Sequence, residues 1–297
     1  MTSVSVGIRH RESWLQTSDG TRLFNQSWTP EAPKALVVII HGFAEHSSRH
    51  ASAALHLARS GCAVHAFDLR GHGRSQGKRC YVSAFDEYLD DTQAVFLSAT
   101  HEWPDRPTFL LAHSLGGLIG SLFVIDQRGE LSGLILSAPA VKLGRDYSKF
   151  KILACLVLGR LFPHLPMVRF RSSSVSRDSV IVQGYREDEL VYHGRTPART
   201  ASEIVRAIRR AQLGAGRISV PLLVMHGSHD QVAELEGSRE LHARAQSLDK
   251  SMRVYDGLYH EIMHEPEQAL VLDEMAAWLD ARTARLMREA LDGGAAR

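Results

Sequence analysis

The chain has 297 residues, 44% hydrophobic and 23% charged, enough for one large domain or one domain with an insertion, and for a core that needs no disulfide staples. Its 35 Lys and Arg stand against 33 Asp and Glu, a net charge of +2 with no long basic block, which excludes the electrostatic footprint of a nucleic-acid binder. Three cysteines at unrelated spacings (Cys62, Cys80, Cys155) fit neither a zinc nor a redox pattern; they read as small apolar core side chains in a reducing compartment.

The opening segment, Met1 to Ser13, has no apolar core and does not read as a secretory signal. Two β-type runs follow, near Arg11–Thr17 and Thr21–Trp28, and Asp19-Gly20 between them predicts a hairpin turn. Ala35–Ile40 is continuously apolar and β-branched, the pattern of a strand buried on both faces. A helix is predicted over Arg49–Ser60, stopped by Gly61, then a strand over Cys62–Phe67 and a helix over Ser83–Thr100. Strand Thr108–Ala112 runs into His113-Ser114 and a helix over Leu115–Arg128, and Gly133–Ser137 is the sixth strand.

From residue 141 to 216 the alternation breaks, and the chain is helix-prone or irregular with no buried strand predicted. It resumes with strand Val220–His226, a helix near Leu235–Ser247, strand Ser251–Tyr255 and a long helix from Pro266 towards Leu291, with Gly293–Arg297 expected to fray. Strands alternating with helices predict an α/β fold. Its mostly parallel eight-stranded sheet, 1–140 and 217–297, has helices on both faces, and a mainly helical cap, 141–216, is inserted after strand six.

The chemistry concentrates at the ends of three predicted strands. Ala112-His113-Ser114-Leu115-Gly116 has the strand, sharp turn and helix of a nucleophile elbow, usually Gly-x-Ser-x-Gly, with alanine in place of the first glycine. The competing reading of Ser114 is a helix N-cap. Asp230 lies just past strand Val220–His226 and His260 just past strand Ser251–Tyr255, so Ser114, Asp230 and His260 converge on the carboxyl edge of the sheet in the order Ser, Asp, His. A serine hydroxyl needs a base to take its proton, and the imidazolium that forms needs a carboxylate. Two backbone N–H groups should meet the oxyanion: that of Leu115, at the start of a helix, and that of Phe43 in His41-Gly42-Phe43. The nearby alternatives are His229, which adjoins Asp230, His264, one helical turn after His260 in a helix start, and Asp256, which sits within a strand end and reads as a cap or turn; order, spacing and strand-end placement together favour Asp230 and His260.

These segments also carry a resemblance. His41-Gly42-Phe43-Ala44-Glu45-His46-Ser47-Ser48-Arg49, Asp68-Leu69-Arg70-Gly71-His72-Gly73-Arg74-Ser75-Gln76-Gly77, Leu111-Ala112-His113-Ser114-Leu115-Gly116-Gly117, His226-Gly227-Ser228-His229-Asp230 and Tyr255-Asp256-Gly257-Leu258-Tyr259-His260 resemble an α/β-hydrolase of the monoacylglycerol lipase group, also described as lysophospholipase-like serine hydrolases. The similarity runs from Arg11 to Leu279 and includes Ser174-Val175-Ser176-Arg177-Asp178 in the cap. It implies an α/β-hydrolase fold, the same triad and oxyanion donors, no metal or organic cofactor, and a polar glycerol pocket at Glu45, Arg49, His113 and Tyr185. For Glu45 and Arg49 a local ion pair capping the following helix stays open as the alternative.

Phe150, Ile152, Leu153, Leu156, Val157, Leu161 and Phe162 fall largely on one helical face of the cap. They predict a helix packed on the core, or the lining of an acyl tunnel that also touches a membrane or micelle, with Lys149, Lys151, Arg160, Arg169 and Arg171 favouring anionic headgroups. The stretch Ile152–Val168 is too short and too interrupted to span a bilayer. The expected protein is therefore a cytoplasmic serine hydrolase of monoacylglycerols, peripheral at membranes, acting on a lipid or small ester. The alternatives are a lysophospholipase or a general carboxylesterase, and from another class a non-catalytic lipid binder.

Overall fold

A computed structural model describes residues 7–144, 148–169 and 174–294. The expectations for residues 1–6, for Arg171 and for fraying at 295–297 lie outside the described residues. In chain order come β1 (Ile8–Gln16), β2 (Arg22–Pro30), β3 (Ala35–Ile40), α1 (Ala51–Arg59), β4 (Cys62–Phe67), α2 (Asp86–Glu102), β5 (Thr108–His113), α3 (Leu115–Ile125) and β6 (Gly133–Ser137). After β6 follow α4 (Lys149–Leu161), β7 (Pro166–Arg169), α5 (Ser179–Glu187), β8 (Arg195–Pro197) and α6 (Ala198–Gly214). The chain then returns through β9 (Leu222–Gly227), α7 (Leu235–Arg244), β10 (Lys250–Tyr255) and α8 (Gln268–Gly294).

Eight strands form one sheet in the order β1-β2-β4-β3-β5-β6-β9-β10. The pairs β1–β2 and β2–β4 are antiparallel and the others parallel. The continuous apolar runs are explained by burial on both faces. In β3, Leu36, Val38 and Ile40 pack into the core beneath α2 and α3, while Val37 and Ile39 pack with α1 and α8 on the opposite face. In β5, Leu110 and Ala112 face the first core, and Phe109 and Leu111 the second.

The alanine at the elbow has a structural counterpart. A Cβ on Gly120 of α3 would stand 2.9 Å from the Ala112 Cβ. The methyl on the strand is thus accommodated by its absence on the helix. Gly116 and Gly117 bring the same helix down onto the carbonyls of Ile40 and His41 and onto Pro139.

Three sequence expectations change. The segment between β6 and β9 contains a short antiparallel ribbon, β7–β8, with Pro166 opposite Pro197. Its strands have four and three residues, too few for a periodicity to register. The apolar residues of α4 split between two sides: Phe150, Leu153, Val157 and Leu161 are exposed, Phe150 at 78% and Leu161 at 62%. On the other side, Lys151, Ala154 and Cys155 line a cavity of about 380 Å³ together with Met167, Ile204 and Val205. Cys155 is accordingly only partly buried, whereas Cys62 and Cys80 are core residues. Helices α4 and α6 cross at Gly159, where a Cβ would meet Ser202 Oγ at 2.2 Å. Among the described residues, no helix is long and apolar enough to cross a membrane.

Gly120→Ala is expected to destabilise the fold by about 1–3 kcal/mol through overpacking against Ala112, and Ala112→Gly in the same chain is expected to recover most of it. Urea unfolding of the two single variants and the double variant checks this; additive effects would contradict a direct clash.

Candidate active site

Ser114 joins β5 to α3 with φ 53° and ψ −113°. This left-handed backbone is unusual for a residue with a Cβ. Neighbouring backbone holds it: Ser114 N–H donates to Ser137 O at 3.0 Å, and Ser114 O accepts from Ala140 N–H at 2.9 Å. The side chain makes no N-cap hydrogen bond. Its Oγ instead lies 2.8 Å from His260 Nε2.

His260 follows β10 on a loop that comes close to the end of β9. Gly227 permits the approach, since a Cβ there would stand 2.3 Å from Leu258 O and 2.4 Å from Tyr259 O. Across this contact His260 Nδ1 lies 2.7 Å from Asp230 Oδ2. A carboxylate only accepts, so Nδ1 carries the proton and Nε2 is free to accept from Ser114 Oγ–H. Asp230 is aimed by its own turn, its Oδ1 accepting from Val232 N–H at 2.7 Å and Ala233 N–H at 3.0 Å. Burial alone would lower the pKa of His260, but the Asp230 charge and hydrogen bond overcome it and hold the imidazole above its ordinary value. Burial likewise acts to raise Asp230, and His260 and His226 hold it well below the usual carboxylate range. This chain of contacts can take a proton from Ser114 Oγ and stabilise the imidazolium that results.

The loop after β3 lies against the serine. A Cβ on Gly42 would stand 3.1 Å from Ser114 Cβ. Two buried side chains fix its peptides. Glu45 Oε1 accepts from Gly42 N–H at 2.6 Å, and His41 Nδ1–H donates to Gly42 O at 2.7 Å, while His41 Nε2 accepts from Leu69 N–H at 2.9 Å. Holding the Gly42 carbonyl also fixes the direction of Phe43 N–H on the opposite edge of the same trans peptide. Among the described residues, neither Phe43 N–H nor Leu115 N–H has a hydrogen-bond partner.

Glu45 and Arg49 do form an ion pair, at 3.2 Å, but it does not cap a helix. Glu45 also accepts from His50 Nε2 at 3.2 Å. Arg49 reaches Glu261 at 2.5 Å and lies 4.6 Å from the centre of the Tyr185 ring, which α5 supplies from the inserted segment. Although burial would raise the Glu45 pKa, His50 and Arg49 hold it well below the carboxylate range, so it stays ionised. His113 donates through Nδ1 to Ser137 O at 3.1 Å, and its ring centre lies 4.8 Å from that of His260, tilted by 47°. The inserted segment is also tied to this loop: Tyr192 N–H donates to Ala44 O at 2.8 Å, and Asp188 pairs with His46 at 2.9 Å.

The structure therefore brings Ser114, Asp230 and His260 together, and Glu45, Arg49, His113 and Tyr185 around them. The alternative residues lie apart. His264 contacts Glu261 and Arg49 O, while His229 and Asp256 both contact Ser228 Oγ. Sequence reasoning missed Glu261, His50 and His226. The first directly follows His260, and the last opens the motif that contains Asp230, which is the one signal either offered.

Fold and elbow together define a serine hydrolase of the α/β-hydrolase type. The family described as serine aminopeptidase, S33, matches residues 31–267. A monoacylglycerol lipase of Mycolicibacterium smegmatis is 38% identical over 88% of this chain and 93% of its own length. A monoglyceride lipase of Homo sapiens is 33% identical over 91% and 90%. The crystal structure of a monoacylglycerol lipase from Paleococcus ferrophilus superposes with a TM-score of 0.78 at 30% identity, covering 88% of this chain and 99% of that one. The chain belongs to the serine aminopeptidase S33 family of α/β-hydrolases, and it is a carboxylic ester hydrolase.

Burial holds three imidazoles of this region neutral: His41 at about 4, and His72 and His113 at about 3. Between these values and about 6.5, the ordinary histidine value, the unfolded chain binds protons that the folded chain refuses, so stability falls as pH drops through that window. His260 and His264 are raised, so their opposite effect falls above about 6.5, outside the window in which the three lowered groups act. The urea midpoint is expected to be lower at about pH 5 than at about pH 6.5; an unchanged or higher midpoint at the acid pH contradicts the assignment.

Proposed function

We propose that the protein hydrolyses monoacylglycerols to fatty acid and glycerol, with Ser114 as nucleophile, His260 as general base and then acid, and Asp230 as the carboxylate behind it. The observation that carries this reading is the hydrogen-bonded chain from Ser114 Oγ through His260 to Asp230. The named activities of the relatives support the substrate class.

Ser114 Oγ attacks the ester carbonyl as its proton passes to His260 Nε2. The tetrahedral intermediate collapses when His260 returns that proton to the glycerol oxygen, and glycerol leaves an acyl-serine. Water then attacks with His260 as base, and fatty acid and free Ser114 result. The N–H groups of Phe43 and Leu115 receive the oxyanion, the latter with the favourable dipole of α3; loss of one such donor costs about 3 kcal/mol of barrier.

The glycerol head sits among Glu45, Arg49, His113 and Tyr185, since a diol needs both donors and acceptors. The apolar cavity between α4 and α6 takes acyl chain. The outer face of α4, with exposed Phe150, Leu153, Val157 and Leu161 beside Lys149 and Arg160, rests on a membrane or micelle surface. The division into a core of 1–140 and 217–297 and a cap of 141–216 follows the return of the chain to the sheet at β9. Three unpaired cysteines favour a cytoplasmic location.

Ser114→Ala is expected to keep the fold by circular dichroism and to lose fluorophosphonate labelling and all ester turnover. Labelling that persists would move the nucleophile elsewhere. A panel of mono-, di- and triacylglycerols and lysophospholipids is expected to show the highest kcat/KM on monoacylglycerol; preference for lysophospholipid would replace the substrate, and binding without turnover would replace the enzyme reading.

Leu153→Glu is expected to weaken co-sedimentation with anionic vesicles while hydrolysis of a soluble p-nitrophenyl ester stays unchanged. Unaltered partitioning would remove the lipid-surface role of α4.

A further inference from the structure

His226 is fully buried at the end of β9, and the proposed chemistry leaves it unused. Its Nε2 lies 3.1 Å from Asp230 Oδ2 and 3.2 Å from Ala233 O. Both neighbours only accept, so Nε2 carries a proton and donates. The other ring nitrogen, Nδ1, lies 2.7 Å from Ser238 Oγ on α7, and in the neutral ring it accepts from that hydroxyl. Ser238 is itself fully buried, so the ring is held from both sides.

The oxygen that receives His226 is the same one that receives His260. Asp230 Oδ2 thus has two imidazole donors, while Oδ1 has the backbone N–H groups of Val232 and Ala233. We propose that His226 is a positioning residue that shares Asp230 Oδ2 with His260 and thereby limits how strongly Asp230 raises the basicity of His260. This inference rests on the triad reading above.

The sign follows from charge sharing. A donor on Oδ2 spreads the carboxylate charge, so each partner feels less of it. Without His226, the two backbone donors on Oδ1 still aim Asp230, but its full charge falls on His260. The imidazolium then becomes more stable, and the free base is reached only at higher pH. The other groups that act on His260 do not touch His226: His113 lies against its ring at a tilt, Ser114 bonds its Nε2, and Glu45 and Glu261 act through space.

His226→Leu keeps much of the volume, excludes water and removes the donor. The full-length variant is expected to move the acid limb of kcat/KM on a p-nitrophenyl ester upward by about half a pH unit. His226→Gln, whose amide nitrogen can reach the same oxygen, is expected to return the limb towards wild type, and Ser238→Ala to shift it in the same direction as Leu but less. A merely structural role would lower Tm or kcat and leave the limb in place. A folded His226→Leu whose limb is unmoved or lower overturns the proposal, as does a Gln variant that shifts as far as Leu. Should the Leu variant not fold, an unmoved limb in Ser238→Ala overturns it. Ser114→Ala separates the two levels: if it is inactive while the limb stays put, only the role of His226 is lost, and if it remains active the triad reading goes first.

Discussion

The left-handed backbone at Ser114 is the constraint from which the site follows. A residue with a Cβ in that region carries a cost of about 1–3 kcal/mol, and the surroundings here leave it no cheaper conformation. Its N–H and C=O are spoken for by Ser137 and Ala140, and the glycines that follow bring α3 onto the β3 terminus. The hydroxyl is thereby withdrawn from capping its own helix and presented to His260. Three later features depend on this: the loop after β3 can lie against the serine, Leu115 N–H has no partner among the described residues, and one imidazole reaches both the hydroxyl and a carboxylate.

Electrostatics around the serine are arranged in buried layers. Glu45 and Glu261 are both nearly inaccessible, at 2% and 3%, yet both are ionised because Arg49 lies between them, His50 donates to Glu45, and the His264 ring lies 3.0 Å from Glu261. An unpaired carboxylate in such a place would be strongly destabilising. The network therefore does two jobs. It neutralises the charges that shape the loop at Gly42, and it places a guanidinium against the aromatic ring from α5, joining core to insertion through a cation–π contact.

Much of this was legible in the sequence because the central strands are buried on both faces and so read as unbroken apolar runs, and because the elbow and the acid each follow such a run, while the histidine follows β10, an edge strand that carries Lys250, Ser251 and Arg253. Element ends were less legible. Helix α2 begins at Asp86, later than its periodicity suggests, because the Glu87 carboxylate accepts from Ser83 N–H and Ala84 N–H and holds them outside the helix. The two sides of α4 look alike in sequence since both are apolar, and only contact with α6 tells them apart. Supporting residues were least legible. Arg49 and Glu261 are 212 positions apart, and no local pattern announces a pair that only the fold creates.

The bonds from Tyr192 to Ala44 and from Asp188 to His46 carry a mechanical consequence. They fasten the inserted segment to the two residues on either side of Glu45, the residue that grips Gly42. Any swing of that segment wide enough to admit a bulky ester must release these fastenings or drag the loop along. The seating of the inserted segment and the shape of the loop at Gly42 thus meet in one short stretch of chain, residues 44–46.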